Sequence, residues 1–241
     1  MSLPIPFTQS IPRTLLANAW LFKSKSAMNR GLISFWMAAC TVVLSAQPTP
    51  KAASLDLVME RSEGGPWKAL NPETVLEKGN TIRFRLVSSF SGYLYVYYRG
   101  SDGEAGWLYP SETSGVNNRI EGGAPHVIPS ENTSYVVSGK PGFDIVYWLI
   151  SPKPLAPPDL RPPVENSSVP RTMVPRCGEE PKAITGCLDN RAGAKAAGAE
   201  PAEVGGLKAR ELTLKSEGST THIAAAEGPG LLVYEFRIAH R

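Results

Sequence analysis

Apolar and polar residues alternate with a period of two along several stretches of this chain. Leu55, Leu57 and Met59 alternate with Asp56, Val58 and Glu60, and Ile82, Phe84 and Leu86 alternate with Arg83 and Arg85. Successive side chains of a strand point to opposite faces, so this pattern predicts strands with one face buried and one face wet. Two further runs, 92–98 (GYLYVYY) and 143–150 (FDIVYWLI), are apolar on both faces. Strands of that kind belong at the centre of a sheet. Residues 208–216 and 220–225 read as strands as well. At the end of the chain Leu232, Tyr234, Phe236 and Ile238 alternate with Val233, Glu235 and Arg237, which predicts a strand that needs a sheet to join.

Turn residues punctuate these runs. Ser101-Asp102-Gly103-Glu104 follows the tyrosine-rich run and predicts a hairpin into 105–109, which Pro110 stops. Lys140-Pro141-Gly142 precedes the run at Phe143. Many short strands with such punctuation, and no alternation with helices, predict a mainly β fold, either an antiparallel sandwich or an open barrel. Residues 152–175 then carry eight prolines, the signature of an extended connection. Residues 192–206 (AGAKAAGAEPAEVGG) read as a loop, with a short Ala-rich helix as the alternative. The expected organisation is one sandwich from 55–152 plus 207–241, interrupted by a Pro/Ala/Gly-rich insertion at 153–206.

The first 46 residues have a different character. Residues 31–46 (GLISFWMAACTVVLSA) carry no charge, follow Arg30 and end in small residues. A basic start, a short apolar run and a small-residue end form the pattern of a signal peptide, here 28–46. The run is short of the roughly 20 residues that a spanning helix needs. Met1–Ala27 shows no element pattern and reads as a disordered extension or as sequence ahead of a true start at Met28. The expected location is outside the cytoplasm. Cys40 sits in Met37-Ala38-Ala39-Cys40, where an incidental cysteine and a lipidated one are both open readings.

This leader also explains the charge. The whole chain has 25 Lys+Arg against 22 Asp+Glu, a net charge of +3. Four of the basic residues (Arg13, Lys23, Lys25 and Arg30) and none of the acidic ones lie before residue 47, so the body holds 21 against 22, a net charge of −1. A nearly neutral body with no basic cluster gives no reason to expect a nucleic-acid partner.

Candidate chemistry is sparse. Cys177 and Cys187 form an even pair in an exported chain and predict a disulfide. Its loop of about 11 residues would stabilise by roughly 2–3 kcal/mol in the chain-entropy model. Their spacing is wrong for a zinc site, and no metal or cofactor is expected. His126, His222 and His240 are far apart in sequence and read as surface or edge residues. No catalytic signature of the usual kinds occurs, so no catalytic residue is assigned. Trp67, Trp107 and Trp148, with Tyr93, Tyr95, Tyr97 and Tyr98, have two readings: packing within and between strands, or contact with a ligand such as a sugar face or a protein partner. Trp107, beside the hairpin, is the one expected at the surface.

The block from Ile82 to Pro152 resembles the DUF4384 family of bacterial envelope and secreted proteins. The resemblance rests on Ile82-Arg83-Phe84-Arg85-Leu86, Ser91-Gly92-Tyr93-Leu94-Tyr95-Val96, Ser101-Asp102-Gly103, Leu108-Tyr109-Pro110, Asn118-Arg119-Ile120, Val127-Ile128-Pro129, Lys140-Pro141-Gly142-Phe143-Asp144-Ile145-Val146 and Ser151-Pro152, in that order. It implies a β module in the periplasm or at the surface of a bacterium, and it supplies no catalytic residue. The expected role is non-enzymatic, mediating a protein interaction in the cell envelope. Binding of cell-wall glycan through the tryptophans is the alternative, and a small hydrolase comes third. Membrane contact is expected only through the leader or a lipid on Cys40.

Overall fold

Leu55, Leu57 and Met59 are buried on one face of β1 (Ser54–Ser62), while Asp56 on the other face is exposed. The alternation in β3 (Thr81–Ser88) works in the same way, and the two strands pair antiparallel with Leu57 opposite Leu86 and Met59 opposite Phe84. The computed structural model describes residues 52–112, 114–156, 173–176, 186–197, 203–204, 206–225 and 230–241. Among these residues the chain forms strands and no helix. Residues 1–51 with Cys40, most of the proline-rich stretch and Cys177 lie outside the described residues.

Two antiparallel sheets account for nearly all the strands. The first has seven, in the order β13 (Leu212–Glu217), β14 (Thr220–Ala225), β1, β3 and β7 (Pro125–Ile128). Two short strands, β2 (Lys68–Leu70) and β8 (Tyr135–Val136), extend β1 and β3 respectively. The second sheet has six, in the order β10 (Gly193–Ala196), β15 (Leu232–His240), β9 (Gly142–Ser151), β4 (Gly92–Arg99) and β5 (Ala105–Tyr109), with β6 (Arg119–Ile120) also on β4. The runs that are apolar on both faces, β4 and β9, are indeed central. The last strand, β15, pairs with β9 along its length, with Tyr234 opposite Trp148.

The sheets face each other across an aromatic centre. Phe84 of the first sheet meets Trp148 edge-on at 5.1 Å and Phe236 at 5.5 Å, both from the second. Trp148 and Tyr234 stack with planes 2° apart. Edge-to-face and offset contacts of this kind favour one fixed packing over a merely apolar interior. The fold is thus a β-sandwich rather than an open barrel, with its core between the layers.

Two expectations need correction. The Ala-rich stretch is neither wholly loop nor helix. Gly193–Ala196 forms β10, an edge strand on β15, and Glu203–Val204 (β11) pairs with Leu207–Lys208 (β12). The segment before β10 is also fastened to the sandwich, since Val75 N donates to the Cys187 carbonyl and Asp189 N to that of Glu73. Small residues hid this strand, because alanine and glycine give no alternation to read. The second correction concerns His240. It is buried, because the chain at Leu76 lies along the end of β15, with Leu76 N donating to the Ala239 carbonyl and Arg241 N to that of Leu76.

Candidate functional site

Where β5 edges the second sheet and β8 pairs with β3 in the first, the seam between the layers is not sealed. The result is a cleft of about 200 Å³. Its walls are apolar: Ile82 and Phe84 from β3, Val146 from β9, Leu108 from β5 and Ile238 from β15. At its mouth stands Val136, 61% exposed. Five polar residues also line it, namely Tyr98, Tyr135, Glu104, Ser138 and Asp144.

Asp144 is the anchor of the polar part. It is buried at the start of β9, and its Oδ1 accepts a hydrogen bond from Ser101 N at 2.9 Å and lies 3.1 Å from His240 Nε2. Burial pushes the Tyr98 phenol well above its ordinary value, and the carboxylates of Asp144, Asp102 and Glu104 push it further, with Asp144 also bonded to it. Burial likewise raises the Tyr135 phenol. The Tyr135 hydroxyl has no hydrogen-bond partner among the described residues. The cleft therefore combines an apolar interior, a negative field and a buried phenol hydroxyl left unpaired among the described residues.

Ser101, His240 and Asp144 resemble a hydrolytic triad in composition but not in geometry. Ser101 Oγ lies 3.4 Å from Nε2 of His240, the same ring nitrogen that faces Asp144. A triad needs the two partners on different ring nitrogens, so that one orients the base while the other gives up its proton. Ser101 Oγ donates to the Lys140 carbonyl at 2.5 Å instead. The three residues tie the β4–β5 hairpin, the start of β9 and the end of β15 together. They hold the floor of the cleft in place.

The residues singled out from sequence fall elsewhere. Trp148 is 0% exposed in the core, so packing is its role and it cannot meet a ligand. Trp67 is half-buried over the guanidinium of Arg83, 4.3 Å from its ring centre, which occupies one ring face. Trp107 is half-buried on the outer face of the second sheet, edge-on to Tyr97 at 5.1 Å. His126 accepts from Glu121 N at 2.9 Å, and His222 faces Asp56 at 2.7 Å on the outer surface of the first sheet; neither reaches the cleft. Cys187 packs against a small cluster that includes Val75 and Phe143. Among the described residues no group of three or more His, Cys, Asp or Glu is placed to hold a metal ion.

Sequence reasoning reached Tyr98 only as one of a cluster of aromatics, and it missed Tyr135, Glu104 and Asp144. One signal was available: Asp144 is the sole charge inside the run 143–150. A carboxylate in a central strand must find partners, because burying it alone is costly. The convergence of β8 with β5 had no local signal.

The family model DUF4384, a domain of unknown function, matches residues 75–154. The matched segment holds β3 to β9 and every cleft residue named above except Ile238. β1, β2 and β10 to β15, with His240, come from outside it. No curated protein and no solved structure matches the chain.

Proposed function

We propose that this chain is a non-enzymatic, exported β-sandwich module that holds another protein in a bacterial cell envelope, and that the cleft between β5 and β8 is where the partner anchors. One observation carries the reading. At about 200 Å³ the cleft is below the range of about 300–1,000 Å³ usual for small-molecule sites. It has room for one side chain, and protein interfaces concentrate their energy in such anchors. The test is a pull-down from envelope extract with the full chain and with Leu108→Trp, which fills the cleft. A partner retained by the first and lost by the second supports the reading. Equal recovery by both, or no partner above background, overturns it.

The export part of the reading rests on the leader at 28–46. It makes the N-terminal peptide of the mature protein begin at Gln47, with lipid on Cys40 as the other processed form. Mass spectrometry of that peptide separates the two and distinguishes both from an uncleaved anchor. In the same compartment Cys177 and Cys187 form a disulfide, which a mass shift on reduction and alkylation reads out.

A second reading, contact with cell-wall glycan, is favoured by Trp107 alone, since its ring is neither in the core nor under a guanidinium. Unchanged binding to cell-wall polysaccharide after Trp107→Ala would remove it.

A further inference from the structure

We infer that the side chain this cleft receives is basic, a lysine or arginine of the partner protein whose aliphatic stem lies between the apolar walls and whose cation meets Asp144 and Glu104. The inference rests on the reading of the cleft as a docking site and names the chemistry of the anchor. Three independent features point the same way.

The first is charge. Asp144 lies in the wall of the cleft, Glu104 is exposed at its rim, and Asp102 sits on the adjoining turn. His240 is the titratable group facing Asp144 from the end of β15, at 3.1 Å. The second is the ring content. Phe84, Tyr98 and Tyr135 all line the cleft, and an ammonium or guanidinium near such rings is attracted to their faces. The third is the Tyr135 hydroxyl, buried and without a partner among the described residues. Leaving a buried polar group unsatisfied is costly, and the phenol oxygen can accept from a donor that the partner brings. An ammonium has three donors and no acceptor, and a guanidinium has five, so either suits a site made of carboxylate and phenol oxygens. An acidic anchor would be repelled by this field, and a purely apolar one would leave the Tyr135 hydroxyl unpaired.

The walls determine the rest of the ligand's shape. Ile82, Val146 and Ile238 offer no hydrogen bond, which matches a methylene stem and not a peptide backbone. The partner therefore presents the basic residue from a loop or a surface and inserts only its side chain.

The test uses the full chain and two blocked pentapeptides, Gly-Gly-Lys-Gly-Gly and the same sequence with norleucine for lysine. Binding is followed by the ring resonances of Tyr98 and Tyr135 in NMR titrations. The lysine peptide is expected to shift both and to bind at least about tenfold more tightly than the norleucine peptide, with the advantage shrinking as salt is added. Glu104→Gln, an exposed change, should reduce the advantage several-fold, and Tyr135→Phe should reduce it without altering the fold. Equal binding of the two peptides overturns the basic anchor, as does the absence of any shift with lysine. Either result, found together with a partner that Leu108→Trp still loses in the pull-down, leaves the docking reading standing. Loss of both removes the docking reading too.

Discussion

The outward faces of the two sheets are built from different materials. On the first sheet the outer face is ionic. Glu60 receives Arg83 Nε at 2.6 Å and Arg85 Nε at 3.1 Å, with Trp67 lying over Arg83, and Asp56 meets His222 across paired strands. On the second sheet the outer face is a second apolar layer. Tyr95, Tyr97, Tyr147, Leu149 and Val233 pack there under Leu155, Ala197 and Leu231. The Tyr95 hydroxyl accepts from Leu155 N at 2.9 Å, which pins the chain as it leaves β9 across that face. One sheet is covered once and the other twice. That difference is why β1 and β3 alternate in sequence while β4 and β9 do not.

The largest effect that would break this comparison is a charge placed on each outer face. Leu149→Asp, at a position 1% exposed, buries a carboxylate without a partner and should cost about 4 kcal/mol or more. Val58→Asp, on the outer face of the first sheet opposite Arg85, should cost less than about 1 kcal/mol. Chemical denaturation measures both, and equal losses would mean that the second sheet is not covered on its outer side.

Glu60→Gln should have the next largest effect. The Arg83 side chain is only 6% exposed, and removing the Glu60 carboxylate leaves it only the longer contact to the exposed Glu131 at 3.4 Å, at a cost of about 3 kcal/mol. Burial raises the Glu60 carboxyl, but hydrogen bonds from Arg85 and Arg83 outweigh it and hold the group below its ordinary value of 4.5. A carboxyl held low in the folded state contributes stability that is complete above 4.5 and is lost as pH falls through the lowered value. Denaturation of wild type and Glu60→Gln should therefore differ most near neutral pH and converge in acid. A constant difference across that range would show that the pair contributes through packing alone.

His222→Gln should be the smallest change, below about 0.5 kcal/mol, because the Asp56 pair lies in solvent. A loss as large as that of Glu60→Gln would mean that the outer face of the first sheet is not graded by burial.

These contrasts also explain what the sequence made legible. The half-buried strands β1 and β3 announced their inner faces, and the apolar runs of β4 and β9 announced central positions. The layering that buries Tyr95 and Tyr147 from outside was hidden, because a run that is apolar on both faces does not say what covers it. β10 was hidden because Gly193 and Ala194 carry almost no side chain to pattern. The cleft was the least legible feature. Tyr98, Tyr135 and Asp144 come from three separate strands and meet through sheet order, which no local spacing encodes. Only the lone charge of Asp144 in its apolar run marked the place.

The most direct measurement of the central claim is site-specific photo-crosslinking from the mouth of the cleft, with p-benzoylphenylalanine replacing Val136 in the full chain in intact cells. The account predicts one discrete adduct with another protein, abolished when Leu108→Trp fills the cleft. No protein adduct, or one that persists unchanged in the filled variant, would contradict it.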